Sequence, residues 1–181
     1  MPGRLQRWKG QLVFVRAFAE VARAYPHAHG ICLGGTLFGR EAGFRDELLS
    51  EIQRLGLETR IHLPGQEPIA PWLQRAACVV HASIQPDAFP NVCIEALASR
   101  RALITNTACG VAEILVHGRD AWVVGPDDAG ALGRAISEAL GDARLATRIA
   151  EAGYLRYTEH CTPPQMVRPI ESKLSALAAE S

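Results

Sequence analysis

The chain has 181 residues, 48% of them hydrophobic, with 19 basic and 19 acidic side chains and a formal net charge of zero. That length suits one packed α/β domain and is too short for two. The apolar content excludes a disordered chain, and the charge balance argues against a dedicated nucleic-acid binder. No apolar run approaches the ~18 residues of a membrane span, and Met1-Pro2-Gly3-Arg4-Leu5 carries no signal-peptide hydrophobic stretch, so the expected location is the cytoplasm. Lys9 and Lys173 are the only lysines. Cys32, Cys78, Cys93, Cys109 and Cys161 are odd in number and form no CxxC pair. Three of them sit beside apolar neighbours and read as small buried hydrophobes, and neither disulfides nor a zinc site are expected.

In chain order, helical periodicity predicts a helix over 10–24, with Leu12, Val13, Phe18 and Val21 inward and Pro26 beyond its end. A strand follows at 30–33, then an amphipathic helix over 42–55 that stops at Gly56. A strand at 60–63 ends on Pro64-Gly65, and 68–75 is a short helix. Residues 78–81 form a strand, and a polar, proline-bearing loop runs over 83–89. Pro90 suits the first turn of a helix over 90–99. The remaining elements are a strand at 102–105, a short helix at 111–116, a strand at 121–124, and a helix at 129–140 capped by Asp127 or Asp128. Helices at 144–157 and 165–179 close the chain.

Short, uniformly apolar strands alternating with helices predict a single doubly wound α/β domain, its parallel sheet of five or six strands covered on both faces. Ligands of such sheets sit at the C-terminal ends of the strands. The chain opens on a loop sequence where an apolar strand is expected, so the first strand reads as missing or cut short.

Two glycine or acidic clusters are weak signals. Gly34-Gly35-Thr36-Leu37-Phe38-Gly39 has phosphate-loop spacing, but Arg40-Glu41 stands where Lys-Ser/Thr is required. It reads equally as a tight turn or as bare backbone near a ligand. Asp127-Asp128 precedes a helix and reads as capping rather than metal binding.

The richest segment is Gln85-Pro86-Asp87-Ala88-Phe89-Pro90-Asn91-Val92-Cys93-Ile94-Glu95. Asp87 lies in a loop after a strand, and Glu95 is one turn inside the following helix. Phe89 is a poor cap, which leaves the first amides, from Asn91 onward, free for an anion. Glu95 is placed to accept hydrogen bonds from a diol such as a ribose, and Asp87 from sugar hydroxyls. Taken alone, the same residues also read as a loop acid and a helix-surface Glu.

This segment resembles the acidic-x7-Glu signature of the retaining GT-B glycosyltransferases of the family 4 group, with Asp87 in place of the usual Glu. Gly3-Arg4-Leu5 through Lys9-Gly10 is similar to the family's Gly-Arg-Leu…Lys-Gly segment, whose Arg and Lys hold the donor's diphosphate. Cys109-Gly110-Val111-Ala112-Glu113-Ile114-Leu115 resembles its Gly-Gly-x-x-Glu run, with Cys109 replacing the first glycine. His62 and His81 match strand ends rather than catalytic positions.

The resemblance implies the C-terminal, donor-binding half of a GT-B enzyme over residues 1–181, with 151–181 as closing helices. The substrate implied is a nucleotide-diphosphate sugar, transferred with retention and without a metal or cofactor. Arg4, Lys9 and Asp87 carry the chemistry. The amides around Phe89, Asn91 and Val92 face sugar and phosphate with Pro90 between them, Glu95 holds the ribose, and Gly65 and Gln66 lie near the base. The acceptor-binding N-terminal domain is not in this sequence, so the chain alone is expected to turn nothing over. Two other readings share the fold. One is a non-catalytic nucleotide-binding or regulatory module. The other is a different GT-B enzyme, an epimerase or a phosphorylase, though a cofactor-bearing lysine is hard to place with two lysines only.

Overall fold

The computed structural model describes residues 1–36 and 43–179. The end of the glycine-spaced turn, Arg40-Glu41 and the first residue of the helix predicted over 42–55 lie outside the described residues.

The elements, in order, are α1 (Gln11–Ala24), β1 (Gly30–Leu33), α2 (Phe44–Arg54), β2 (Ile61–Gly65), α3 (Ala70–Arg75), β3 (Cys78–Val80) and α4 (Asn91–Ala98). They continue as β4 (Ala102–Asn106), β5 (Trp122–Val124), α5 (Ala129–Gly141), α6 (Ala143–Arg156) and α7 (Pro163–Ala179). Asp128 caps α5 by accepting from the Ala131 amide at 2.8 Å, and Asp142 caps α6 from Leu145 at 2.9 Å. The helix predicted over 111–116 is a 3₁₀ turn at Gly110–Ile114.

All strand pairs are parallel. Side chains alternate between two cores, as a strand covered on both faces requires. Val80, Ala102, Ile104 and Trp122 point to the core built with α1, α2 and α5. Val79, Leu103 and Ala121 point to a second core with Leu73 of α3 and Cys93, Ala96 and Leu97 of α4.

The expected single sheet is divided. β1 pairs with β2, and β3-β4-β5 form a separate sheet. No described strand fills the place between β1 and β3. The opening residues contribute only a parallel bridge, Pro2 to Leu33. The Met1 nitrogen donates to Ile31 O at 2.7 Å, and the Gly3 amide to Leu33 O at 2.8 Å. At the far end α7 leaves Met166, Ile170 and Leu174 exposed. No described helix is long and apolar enough to cross a membrane.

Candidate functional site

The site is assembled where the opening segment meets the C-terminal ends of the strands. Arg7–Lys9 make one 3₁₀ turn that stops at Gly10, whose φ of 78° also starts α1. A Cβ on Gly10 would stand 1.8 Å from the Ala82 carbonyl oxygen, so only glycine lets this turn lie against the exit of β3. The Ile84 amide donates to Trp8 O at 2.8 Å and fixes the contact. Lys9 is thereby held beside the loop that follows β3.

That loop carries Asp87. Its amide donates to Ala108 O and its carbonyl accepts from the Gly110 amide, both at 2.9 Å. Its carboxylate is the hub of the site. Lys9 Nζ donates to Asp87 Oδ2 at 2.6 Å, Ser83 Oγ donates to the same oxygen at 3.1 Å, and His81 Nε2 lies 3.0 Å from it. Burial pushes the Asp87 carboxyl up, but Lys9, His81 and Ser83 outweigh it and hold the group below its ordinary range. Burial likewise works against the charged form of His81, and its hydrogen bonds to Cys109 and Asp87 prevail, raising it.

Behind His81, Cys93 Sγ and Cys109 Sγ lie 3.9 Å apart, both buried and free. Cys109 is the more acidic thiol: the hydrogen bond with Cys93 draws it down against burial, helped by His81 and Thr105. Cys93 is pushed well above its usual range. The ligand atoms of His81, Cys93 and Cys109 all lie within 4.8 Å of one another.

α4 begins after Pro90 with no side chain capping it, so its first turn presents backbone donors. Arg4, Lys9, His81, Pro90, Asn91 and Val92 line one cavity of about 220 Å³. Arg4 is exposed and, among the described residues, has no side-chain partner. It also lines an adjoining cavity of about 270 Å³ with Gly34, Gly35, Thr36 and Gln66. Two cations, a free helix start and two hollows that share Pro2 and Arg4 in their walls thus converge at the strand ends, an arrangement suited to an extended anion.

Of the predicted site residues, Arg4, Lys9, Pro90, Asn91 and Val92 share the first cavity, and Asp87 is tied to it through Lys9 and His81. Gln66 lines the second, and Gly65, with φ 91°, pairs with Leu33 beside it. Glu95 lies half-buried on α4, one turn from Asn91, with no hydrogen bond or ion pair of its side chain among the described residues. Glu95 and the 38%-exposed Phe89 stand outside both linings. His81, expected as a strand-end residue, takes part in the site. It is 3% exposed and holds Asp87, and its position just past β3, where ligands of such sheets bind, was the available signal.

Known proteins share the fold that carries this site. A family model described as "Glycosyl transferases group 1" matches residues 1–142. The chain is 32% identical over 150 residues to a lipopolysaccharide core biosynthesis mannosyltransferase, LpcC, of Rhizobium leguminosarum bv. viciae, covering 82% of this chain and 42% of that protein. Among solved structures, Anabaena Alr3699/HepE in complex with UDP and glucose superposes with a TM-score of 0.87 at 28% identity, over 96% of this chain and 46% of that one. The C-terminal domain of a group 1 glycosyl transferase (LpcC) from Francisella tularensis gives 0.80 at 26%, over 87% of this chain and 82% of that one. The chain therefore spans less than half the length of the Rhizobium protein and of HepE.

Proposed function

We propose, from the premise that this chain belongs to the glycosyl transferases of group 1, that it is the half of the enzyme that binds a nucleotide-diphosphate sugar. The observation that carries the reading is the cavity in which Arg4 and Lys9 face the uncapped start of α4. A diphosphate placed there meets two cations and the amides of Asn91 and Val92. These charges stabilise the bound donor and the departing nucleoside diphosphate, the role a divalent metal plays elsewhere. The base extends past Arg4 into the hollow beside Gly65 and Gln66. Glu95 accepts from the ribose hydroxyls, and Asp87 accepts from the sugar. HepE, solved with UDP and with glucose, supports a donor of this class.

Transfer proceeds with retention of configuration and needs an acceptor-binding half supplied by polypeptide outside residues 1–181. The uncovered Met166, Ile170 and Leu174, at i, i+4 and i+8 on α7, offer apolar surface for that half. The 181 residues alone bind donor and transfer nothing.

Calorimetry with UDP, GDP and their sugars, each with and without a chelator, tests the reading. Binding of at least one nucleotide sugar, unchanged by the chelator, is expected. Failure of every nucleotide to bind, or a collapse of binding in chelator, overturns the phosphate site, and sugar transfer by the isolated chain overturns its dependence on a second half.

A further inference from the structure

Two thiols from different elements meet behind the candidate site. Cys93 lies in the first turn of α4, and Cys109 follows β4 and forms an isolated parallel bridge with Asp87. Their Sγ atoms are 3.9 Å apart, and the two residues are 0% and 2% exposed. His81 connects the pair to the cavity of about 220 Å³, since it hydrogen-bonds Cys109 and also lines that cavity. The pair is thus one side chain removed from a space that admits a molecule as small as a peroxide. A His-Cys-Cys cluster also invites a metal ion, but both ring nitrogens of His81 are engaged. Nδ1 is 3.1 Å from Thr105 Oγ1, and Nε2 is 3.0 Å from both Asp87 Oδ2 and Ser83 Oγ. The sulfur pair is what remains available for chemistry.

We propose that Cys93 and Cys109 are a peroxide-sensitive thiol pair, converted by a hydroperoxide to a disulfide that ties the first turn of α4 to the exit of β4. Cys109 is the attacking sulfur. The hydrogen bond with Cys93 draws its thiol down to about 4, against burial and with help from His81 and Thr105, so it supplies the thiolate, the form that attacks. Burial pushes Cys32 and Cys78 up to about 11 and raises Cys161, which leaves them poor nucleophiles. The Cys109 thiolate breaks the peroxide O–O bond and takes one oxygen to become a sulfenic acid. The other oxygen leaves as water or an alcohol, with the proton that Cys109 had given up. The Cys93 sulfur then attacks Cys109 Sγ, the S–O bond breaks, and hydroxide departs as water with the Cys93 proton. Two thiols lose two electrons, and one peroxide gains them. The sulfurs close from 3.9 Å to about 2.05 Å, about 0.9 Å for each. The bond removes the thiolate that faces His81 and places a crosslink beside Gly110, whose amide holds the Asp87 carbonyl at 2.9 Å. Oxidation therefore acts on the residues that set Asp87, whatever ligand the cavity takes.

The test uses the 181-residue protein, reduced, freed of reductant and kept in a chelator so that stray metal carries no electrons. After hydrogen peroxide in modest excess, two of the five thiols should disappear while the mass falls by two hydrogens, and dithiothreitol should restore both. Tryptic peptides 76–100 and 102–119 should emerge linked, with fragmentation placing the link on Cys93 rather than Cys78. Cys93→Ala should stop at the sulfenic acid of Cys109, which dimedone labels, and Cys109→Ala should leave Cys93 a free thiol. The linked peptides of the native protein give a result even where a variant fails to fold. Retention of all five thiols, a link from Cys78, or a gain of oxygen with Cys93 still free overturns the pair. Oxidation of Cys93 in Cys109→Ala overturns the order of attack.

Discussion

Lys9 Nζ donates to Asp87 Oδ2 at 2.6 Å across 78 residues of sequence, with both side chains largely shielded from water. The cation assigned to the donor's phosphate is therefore neutralised, at rest, by the acid assigned to its sugar. A phosphate arriving in the cavity competes with Asp87 for Lys9. An intact nucleotide sugar compensates by offering hydroxyls to Asp87, whereas a sugar-free nucleotide does not. Asp87→Asn should then leave a sugar-free nucleoside diphosphate binding as tightly or tighter, by about 0.5–1 kcal/mol, the range of a modest ion pair. The same variant should weaken the nucleotide sugar. Calorimetry with both ligands separates the two, and equal loss for both would remove Asp87 from the sugar contact.

Asp87, held down chiefly by Lys9, and His81, raised chiefly by Cys109, give the domain a pH signature with two limbs. Asp87 is held below its usual 3.8, so its contribution to stability is present above that value and lost as pH falls through the folded one. His81 is raised above 6.5, so its contribution is complete below 6.5 and lost as pH rises through its folded value. Urea unfolding across pH should show the acid-side loss set by Asp87, and His81→Gln should remove the loss on the alkaline side that His81 contributes, leaving the opposite slope of the depressed Cys109 thiol. An alkaline slope that survives in His81→Gln would assign it to another group.

Much of this was legible because the elements rest on local pattern. The strand expected over 102–105 is buried along its whole length, and Asp128 is one of the two caps the sequence offered for α5. The residues proposed for the donor site were visible only through the resemblance of their ensemble, since Arg4 or Glu95 alone is indistinguishable from a solvated side chain. What no local pattern carried was tertiary. His81 was readable as the end of a strand, but its bond to Asp87 depends on how the loop over 83–89 folds back. The proximity of Cys93 and Cys109 follows from α4 crossing β4, and the division of the sheet shows only once β1 and β3 are placed.

Gly10 and Gly56 form a controlled pair. Both have left-handed φ, 78° and 67°, but a Cβ on Gly10 would strike the Ala82 carbonyl at 1.8 Å while one on Gly56 meets open space. Gly56→Ala should cost only the conformational strain, about 1–2 kcal/mol. Gly10→Ala adds a backbone collision, for a further ~1–3 kcal/mol, and pushes Lys9 away from the exit of β3. Denaturant unfolding gives the first comparison. Nucleotide titration gives the second, where only Gly10→Ala should lose affinity. Similar losses in both variants would mean that the Gly10 turn does not position the phosphate site.

The contacts proposed for Glu95 and Lys9 with a nucleotide differ in shielding, which ranks their variants. Lys9 is 16% exposed and sits in the cavity with Arg4 and the start of α4. Lys9→Ala removes a charge-assisted bond to phosphate, worth roughly 1.5–3 kcal/mol. It also leaves Asp87 without its cation, so the protein itself should lose stability and Asp87 should titrate nearer its ordinary value. Glu95 is half-buried with no side-chain partner among the described residues, so its removal breaks nothing in the free domain. Its bonds to ribose hydroxyls are partly replaceable by water, and Glu95→Ala should cost about 1–2 kcal/mol of binding with little change in unfolding. A deoxyribose nucleotide sharpens the comparison. It should bind the native protein more weakly than its ribose counterpart, and Glu95→Ala should bind the two alike. If Glu95→Ala still distinguishes them, the ribose is held elsewhere and the nucleotide lies differently along the cleft.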